Sequence, residues 1–107
     1  MYTPAVRLTL VSKPECYLCV EAQQVIQRVL DAAAEREIDI DYDEINIFEN
    51  DELAEKYGDE IPVVLINDMP YASFQVHEDR LAYAILHERS KMRAKANRRA
   101  WWRRGKK

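Results

Sequence analysis

The chain has 107 residues, 48% of them hydrophobic and 33% charged, with two glycines, two cysteines and a formal net charge of −3. That length suits one domain with a single core, and so few glycines argue for a helix-rich α/β protein and against a sandwich with many tight turns. No stretch is long and apolar enough to span a membrane, and Met1-Tyr2-Thr3-Pro4 lacks the basic start and apolar core of a secretion signal.

Val6 to Val11 reads as a strand, apolar at Val6, Leu8, Leu10 and Val11. Residues 12–15 form a loop. A helix follows from about Tyr17 to Glu35, with Ala22, Val25, Ile26, Val29, Leu30 and Ala33 at helical spacing. Ile38-Asp39-Ile40-Asp41-Tyr42-Asp43 alternates apolar and acidic residues, as a half-buried strand near a sheet edge does. Ile45 and Ile47 break that alternation, so the chain is expected to turn there. Asn50 or Asp51 caps a short helix through about Tyr57, with Leu53, Ala54 and Tyr57 inward, and Gly58 ends it as a C′ glycine. Ile61-Pro62-Val63-Val64-Leu65-Ile66 is the most apolar run and reads as a buried central strand. Pro62, which cannot donate to a ladder, must open it. Asn67-Asp68-Met69-Pro70 is a turn, and Tyr71 to Val76 is a strand with Ala72, Phe74 and Val76 on one face. The short connection makes this an antiparallel hairpin. A last helix begins near His77-Glu78-Asp79 and carries Leu81, Ala82, Ile85 and Leu86. The order β-α-β-α-β-β-α, with a right-handed parallel crossover at its start, gives a four-stranded mixed sheet flanked by three helices.

Both cysteines fall in Ser12-Lys13-Pro14-Glu15-Cys16-Tyr17-Leu18-Cys19, where the first strand hands over to the first helix. The backbone N–H groups that open a helix have no partners within it, and they and the helix dipole favour negative charge. A thiol placed there loses its proton more easily, and the thiolate is the reactive form. Cys16, nearer the loop and Lys13, is the candidate nucleophile, and Cys19 is the resolving thiol. In a cytoplasmic, reducing compartment a structural disulfide is unusual, and a Cys-x-x-Cys pair is more often catalytic or metal-binding. Two buried structural cysteines are the plainer alternative. Two thiolates do not complete a tetrahedral zinc site, which takes four ligands, and nothing in the pattern aims His77 and His87 at the pair. Lys13 either steadies the thiolate, meets a substrate carboxylate, or is a solvated lysine. Tyr17 and Tyr57 could line a groove, with the core the favoured place for Tyr57.

The tail stands apart in charge. Residues 1–88 hold all 19 acidic and 6 basic side chains, a balance of −13, whereas residues 89–107 hold ten basic and no acidic ones, a balance of +10. The expected division is a domain over 1–88 and a basic tail or helix extension over 89–107. Met92 lies seven residues after Ile85, so the last helix is able to continue into it. The candidate partners of the tail are an acidic protein surface, on this chain or a neighbour, then nucleic acid or a membrane surface with Trp101 and Trp102 stacking or lying at the interface. A solvated tail that only aids solubility is the bland alternative.

The element order, the Cys-x-x-Cys after the first strand and the proline opening the third together resemble the thioredoxin fold. Within it, Ser12 to Cys19 resembles the glutaredoxin active-site stretch, and Ile61 to Asn67 resembles the strand that holds that family's cis-proline. The resemblance covers about residues 5–88. Glu78-Asp79-Arg80-Leu81 is similar to the start of the final helix in a small group of bacterial and plastid glutaredoxin-like proteins. The resemblance implies a thiol–disulfide oxidoreductase serving redox homeostasis, with a cis Ile61–Pro62 bond whose preceding residue, Ile61, pairs with a bound peptide or glutathione. It implies glutathione or a thioredoxin system as reductant, protein disulfides as substrates, and no resident cofactor. Departures from the family bear on this. Glutaredoxins usually carry Pro-Tyr between the cysteines, where Tyr17-Leu18 stands here. Their Gly-Gly pair and Asp, which cradle glutathione, are replaced by Ala72-Ser73-Phe74-Gln75-Val76-His77-Glu78-Asp79. Glutathione is therefore a doubtful partner. A non-catalytic binding module on the same fold, or a thiol that shares an iron–sulfur cluster between two chains, stands as the alternative.

Overall fold

The computed structural model describes residues 5–105, with side chains through residue 96. Its elements run β1 (Val6–Ser12), α1 (Tyr17–Glu35), β2 (Ile40–Asn46), a 3-10 turn (Ile47–Glu49), α2 (Asp51–Tyr57), β3 (Val63–Ile66), β4 (Met69–Ser73) and α3 (Glu78–Gly105). One mixed sheet has the order β2-β1-β3-β4. β1 pairs in parallel with β2, from Val6 opposite Ile40 to Ser12 opposite Asn46. It pairs antiparallel with β3, which in turn pairs antiparallel with β4. The expected architecture of four mixed strands and three helices is the one observed.

The sheet has two unequal faces. On one, Val6, Leu8, Leu10, Val64 and Ile66 meet Ala22, Ile26 and Val29 of α1 and Leu81 and Ile85 of α3. Each large side chain buried there contributes on the order of 1.5–3 kcal/mol. On the other, Val11, Ile47, Ile61, Val63 and Leu65 gather with Cys19, while Leu53 and Tyr57 of α2 pack from outside. The second face is thus covered mainly at the end where β1 finishes.

That difference corrects the reading of β2. The strand does not turn at Ile45 but continues to Asn46. Ile45 stands opposite Val11, where the second face is apolar, while Asp41 and Asp43 lie opposite Arg7 and Thr9, where it is open. The break in alternation records a change in what covers the sheet. In α2, Asn50 is the cap, its Oδ1 accepting from Leu53 N at 3.0 Å. Ala54 is exposed rather than inward, because a helix this short shows the core only Leu53 and Tyr57. Gly58 ends the helix in the right-handed region at φ −53, so it is not a left-handed C′ glycine; a Cβ there would meet the Ala54 carbonyl oxygen.

The hairpin is tighter than expected. Asn67 and Asp68 alone form the loop, both at positive φ, the conformation of a two-residue hairpin turn, which Asn and Asp tolerate. Met69 and Pro70 therefore belong to β4, an edge strand where proline is allowed. β4 stops at Ser73 because Phe74 adopts φ +67. Its register shifts between Val64 and Leu65, leaving Tyr71 as the bulged residue. The last helix passes residue 88 without a break. Asn67 ties it down, donating from Nδ2 to Glu88 Oε1 at 3.2 Å and approaching Met92 Sδ at 3.3 Å. Among the described residues no helix is long and apolar enough to cross a membrane. The roles raised for Trp101 and Trp102 fall on side chains outside those described.

Candidate functional site

Seven residues of β1 end at Ser12, and the chain turns through Lys13, Pro14 and Glu15 before α1 begins. Glu15 takes φ +56, which reverses the chain so that Cys16 becomes the N-cap. Cys16 is extended (φ −118, ψ 110) and its Sγ accepts from Cys19 N at 3.2 Å. A cysteine here replaces the Ser, Thr, Asn or Asp that usually serves as a cap. The same bond that satisfies an orphan helix N–H is therefore aimed at sulfur, where it favours the anion.

Cys16 and Cys19 form a disulfide with their Cα atoms 5.2 Å apart. The two sulfurs are not equivalent. Cys16 is half-buried at the rim, whereas Cys19 is only 2% exposed and belongs to the apolar cluster with Val11, Ile61 and Val63. The helix places one sulfur where an incoming group reaches it and the other beneath. The expectation that Cys16 is the more exposed thiol agrees with this geometry.

The Ile61–Pro62 bond is cis. Ile61 packs in the same cluster as Cys16 and Cys19, and Pro62 is fully buried just before β3. The Pro62 carbonyl accepts from Phe74 N at 2.8 Å, which holds the segment leading into α3 beside it. Tyr57 packs against the cysteine cluster, in the core role favoured for it. Tyr17 is 76% exposed and Lys13 is exposed as well, so neither is buried with the sulfurs. His77 lies exposed at the start of α3, with its carbonyl accepting from Leu81 N, and His87 stacks on Tyr83.

One group near the site was not read from sequence. Glu44 accepts from Ser12 Oγ at 3.3 Å, from Gln23 Nε2, and from Tyr42 OH at 3.4 Å. It bridges the end of β1, α1 and β2 beside the cysteine loop. Burial, then the charge of Glu44, pushes the Tyr42 hydroxyl well above its ordinary pKa. Strand parity carried a signal for this contact: Glu44 lies two residues after Tyr42 and so shares its face, toward α1. In the acidic run from Asp39 it looks like one more solvated charge.

A shallow groove beside Leu18 continues past Gln24 and Arg28 to Phe74, Val76 and His77. Ala72 and Ser73 directly precede its Phe74 in the chain. Glu78, close by at the start of α3, is engaged by Arg28.

A family model described as "Glutaredoxin-like domain (DUF836)" matches residues 7–86. No curated protein matches the chain significantly. Among solved structures, oxidised mitochondrial thioredoxin 3 from Saccharomyces cerevisiae is similar with a TM-score of 0.60 at 11% identity, covering 77% of each chain. A structure titled only as that of a malarial protein gives 0.58 at 17% identity, covering 80% of this chain and 98% of the other. A point-mutant thioredoxin from Halobacterium salinarum NRC-1 gives 0.53 at 22% identity, covering 75% and 71%. These likenesses establish the thioredoxin-like fold.

Proposed function

The chain belongs to the glutaredoxin-like domain (DUF836) family, and from that premise we propose that it is a thiol–disulfide oxidoreductase acting through Cys16 and Cys19. The observation that carries this reading is the asymmetry of the pair: a half-exposed sulfur at the helix N-cap, accepting a backbone N–H, above a buried partner within bonding reach.

In the reduced protein, the Cys16 thiolate attacks one sulfur of a substrate disulfide. A Cys16–substrate S–S bond forms, and the other substrate sulfur leaves as a thiolate, which takes a proton from solvent. Cys19, once deprotonated, then attacks Cys16 Sγ. The intramolecular disulfide forms and the second substrate sulfur departs. Two electrons have passed to the substrate, and an external thiol reductant must return them. The helix N-terminus favours Cys16 as both attacking and leaving group. Lys13 and Tyr17, both exposed, meet the substrate chain in this reading, and the Ile61–Pro62 backbone pairs with it. The protein works in a reducing, cytoplasm-like compartment on protein disulfides.

The reductant is a dithiol of the thioredoxin type rather than glutathione. Phe74, with a left-handed backbone and its ring half in solvent, stands next to Ala72-Ser73, where a glycine pair would cradle the tripeptide. Glu78 and Asp79 follow in the first turn of α3, and Asp79 would repel a glutathione carboxylate. Turnover on a protein disulfide, measured in parallel with a thioredoxin-reductase couple and with a glutathione-reductase couple, tests this. The expected result is turnover with the first and little with the second, both lost in Cys16→Ser. Glutathione turnover equal to that of a dithiol glutaredoxin would overturn the choice of reductant, and turnover retained in Cys16→Ser would overturn the function.

A further inference from the structure

We propose that the basic extension of α3 docks in an acidic groove on a second copy of this chain, giving a salt-sensitive dimer. The extension is a rod that continues α3 as one unbroken helix to Gly105. At about 1.5 Å per residue, the 28 residues of α3 span about 42 Å. Among the described side chains, the last that lies against the core cluster is Met92, beside Asn67. The helix then continues to Gly105, carrying Arg93, Lys95, Arg98, Arg99, Arg103 and Arg104 and no acidic residue.

The groove lies on the other side of the sheet. Asp41, Asp43, Glu52 and Asp68 rim it, over a floor that includes Thr9 and Leu65. Its two basic members are Arg7, already paired with Asp68, and Lys56. The groove exists because α2 is only seven residues long and leaves the Asp41–Asp43 part of the face uncovered. The surrounding segment is strongly acidic: residues 37–60 hold eleven acidic side chains and one basic, a balance of −10, against +10 for residues 89–107.

The rod cannot fill the groove of its own chain. α3 packs on the face of Leu8, Val64 and Ile66, whereas the groove opens on the face of Thr9 and Leu65. Reaching it would require the helix to break after Met92 and cross the sheet, yet it runs on unbroken. A nucleic acid meeting the rod would also meet the −13 of residues 1–88, which repels a polyanion. A second copy brings that acidity to the rod with the favourable sign, and exchange of the two rods closes the pair symmetrically.

The test is sedimentation of the full chain over a concentration series at low and high salt, with two charge-reversed variants. One carries R98E, R99E, R103E and R104E beyond the packed part of α3, and the other carries D41K and D43K on the exposed strand edge. The wild type is expected to dimerise at low salt and to dissociate as salt rises. Each variant alone should dimerise at least about a hundredfold more weakly, because like charges then face each other. Mixed together, the two variants should recover a heterodimer, since each rod again finds a groove of opposite sign. This recovery shows that neither variant failed by misfolding. A wild type that stays monomeric at low salt, a rod variant that dimerises like wild type, or a mixture without recovery would each overturn the proposal. So would a monomeric wild type that binds a single-stranded oligonucleotide through the rod.

Discussion

Tyr42 sits half-buried on β2, packed against the core while its hydroxyl points to Glu44 at 3.4 Å. Burial and the neighbouring carboxylate both disfavour its phenolate, so its folded pKa lies above the unfolded value of 10.0. Above that pH the unfolded chain loses the tyrosine proton while the folded one keeps it. The folded state then binds more protons than the unfolded one, and stability must fall as pH rises. Tyr42→Phe is expected to flatten the decline in melting temperature from pH 10 upward while changing little near neutrality; an unchanged alkaline slope would contradict the assigned environment. At this scale the sequence was partly legible. The two cysteines, Pro62 and a cap at Asn50 or Asp51 could all be named, because each acts within its own stretch of chain. Glu44, Asn67 and Phe74 could not. Glu44 acts through a neighbouring strand and helix, Asn67 through a helix more than twenty residues later, and Phe74 through a backbone angle that its side chain does not announce.

β3 shows what a sequence pattern carries well at the level of an element. A near-continuous apolar run suits a strand covered on both faces, and β3 has both: Val64 and Ile66 lie in the α1–α3 core and Val63 and Leu65 in the cysteine cluster. β2 and β4 were harder, since both are edges whose limits depend on what covers them. β2 runs on to Asn46 with Ile45 opposite the buried Val11, and β4 stops where Phe74 turns the chain. α3 is the longest element, and among its described side chains few are buried in the domain. Leu81 is fully buried and Ile85 nearly so, whereas Tyr83 between them is 72% exposed. Leu81→Ala should cost about 2–5 kcal/mol, as a cavity opens under the helix. Tyr83→Ala should change stability by no more than about 0.5 kcal/mol. Urea unfolding midpoints of the two variants check this; similar losses would mean that α3 is not docked through the Leu81 face.

Over the whole molecule, the cysteine pair and the part of α3 at Met92 lie at opposite ends of β1. The cysteines follow the last residue of β1, while Arg7, near its first, bonds to Asn67, which holds α3 at Met92. The rod therefore leaves the domain at the pole away from Cys16. The charge imbalance was plain in the composition, but only the unbroken helix shows which way it points. The redox reading stands on the inequality of the two sulfurs, and a Cys19→Ser variant exposes it most directly. Incubated reduced with a disulfide-bonded protein, it should accumulate a mixed disulfide through Cys16, located by peptide mass mapping, because no second thiol is left to release it. Cys16→Ser under the same conditions should form little adduct, since Cys19 lies buried. An adduct at Cys19 that forms as fast as one at Cys16, or no adduct in Cys19→Ser, would contradict Cys16 as the nucleophile.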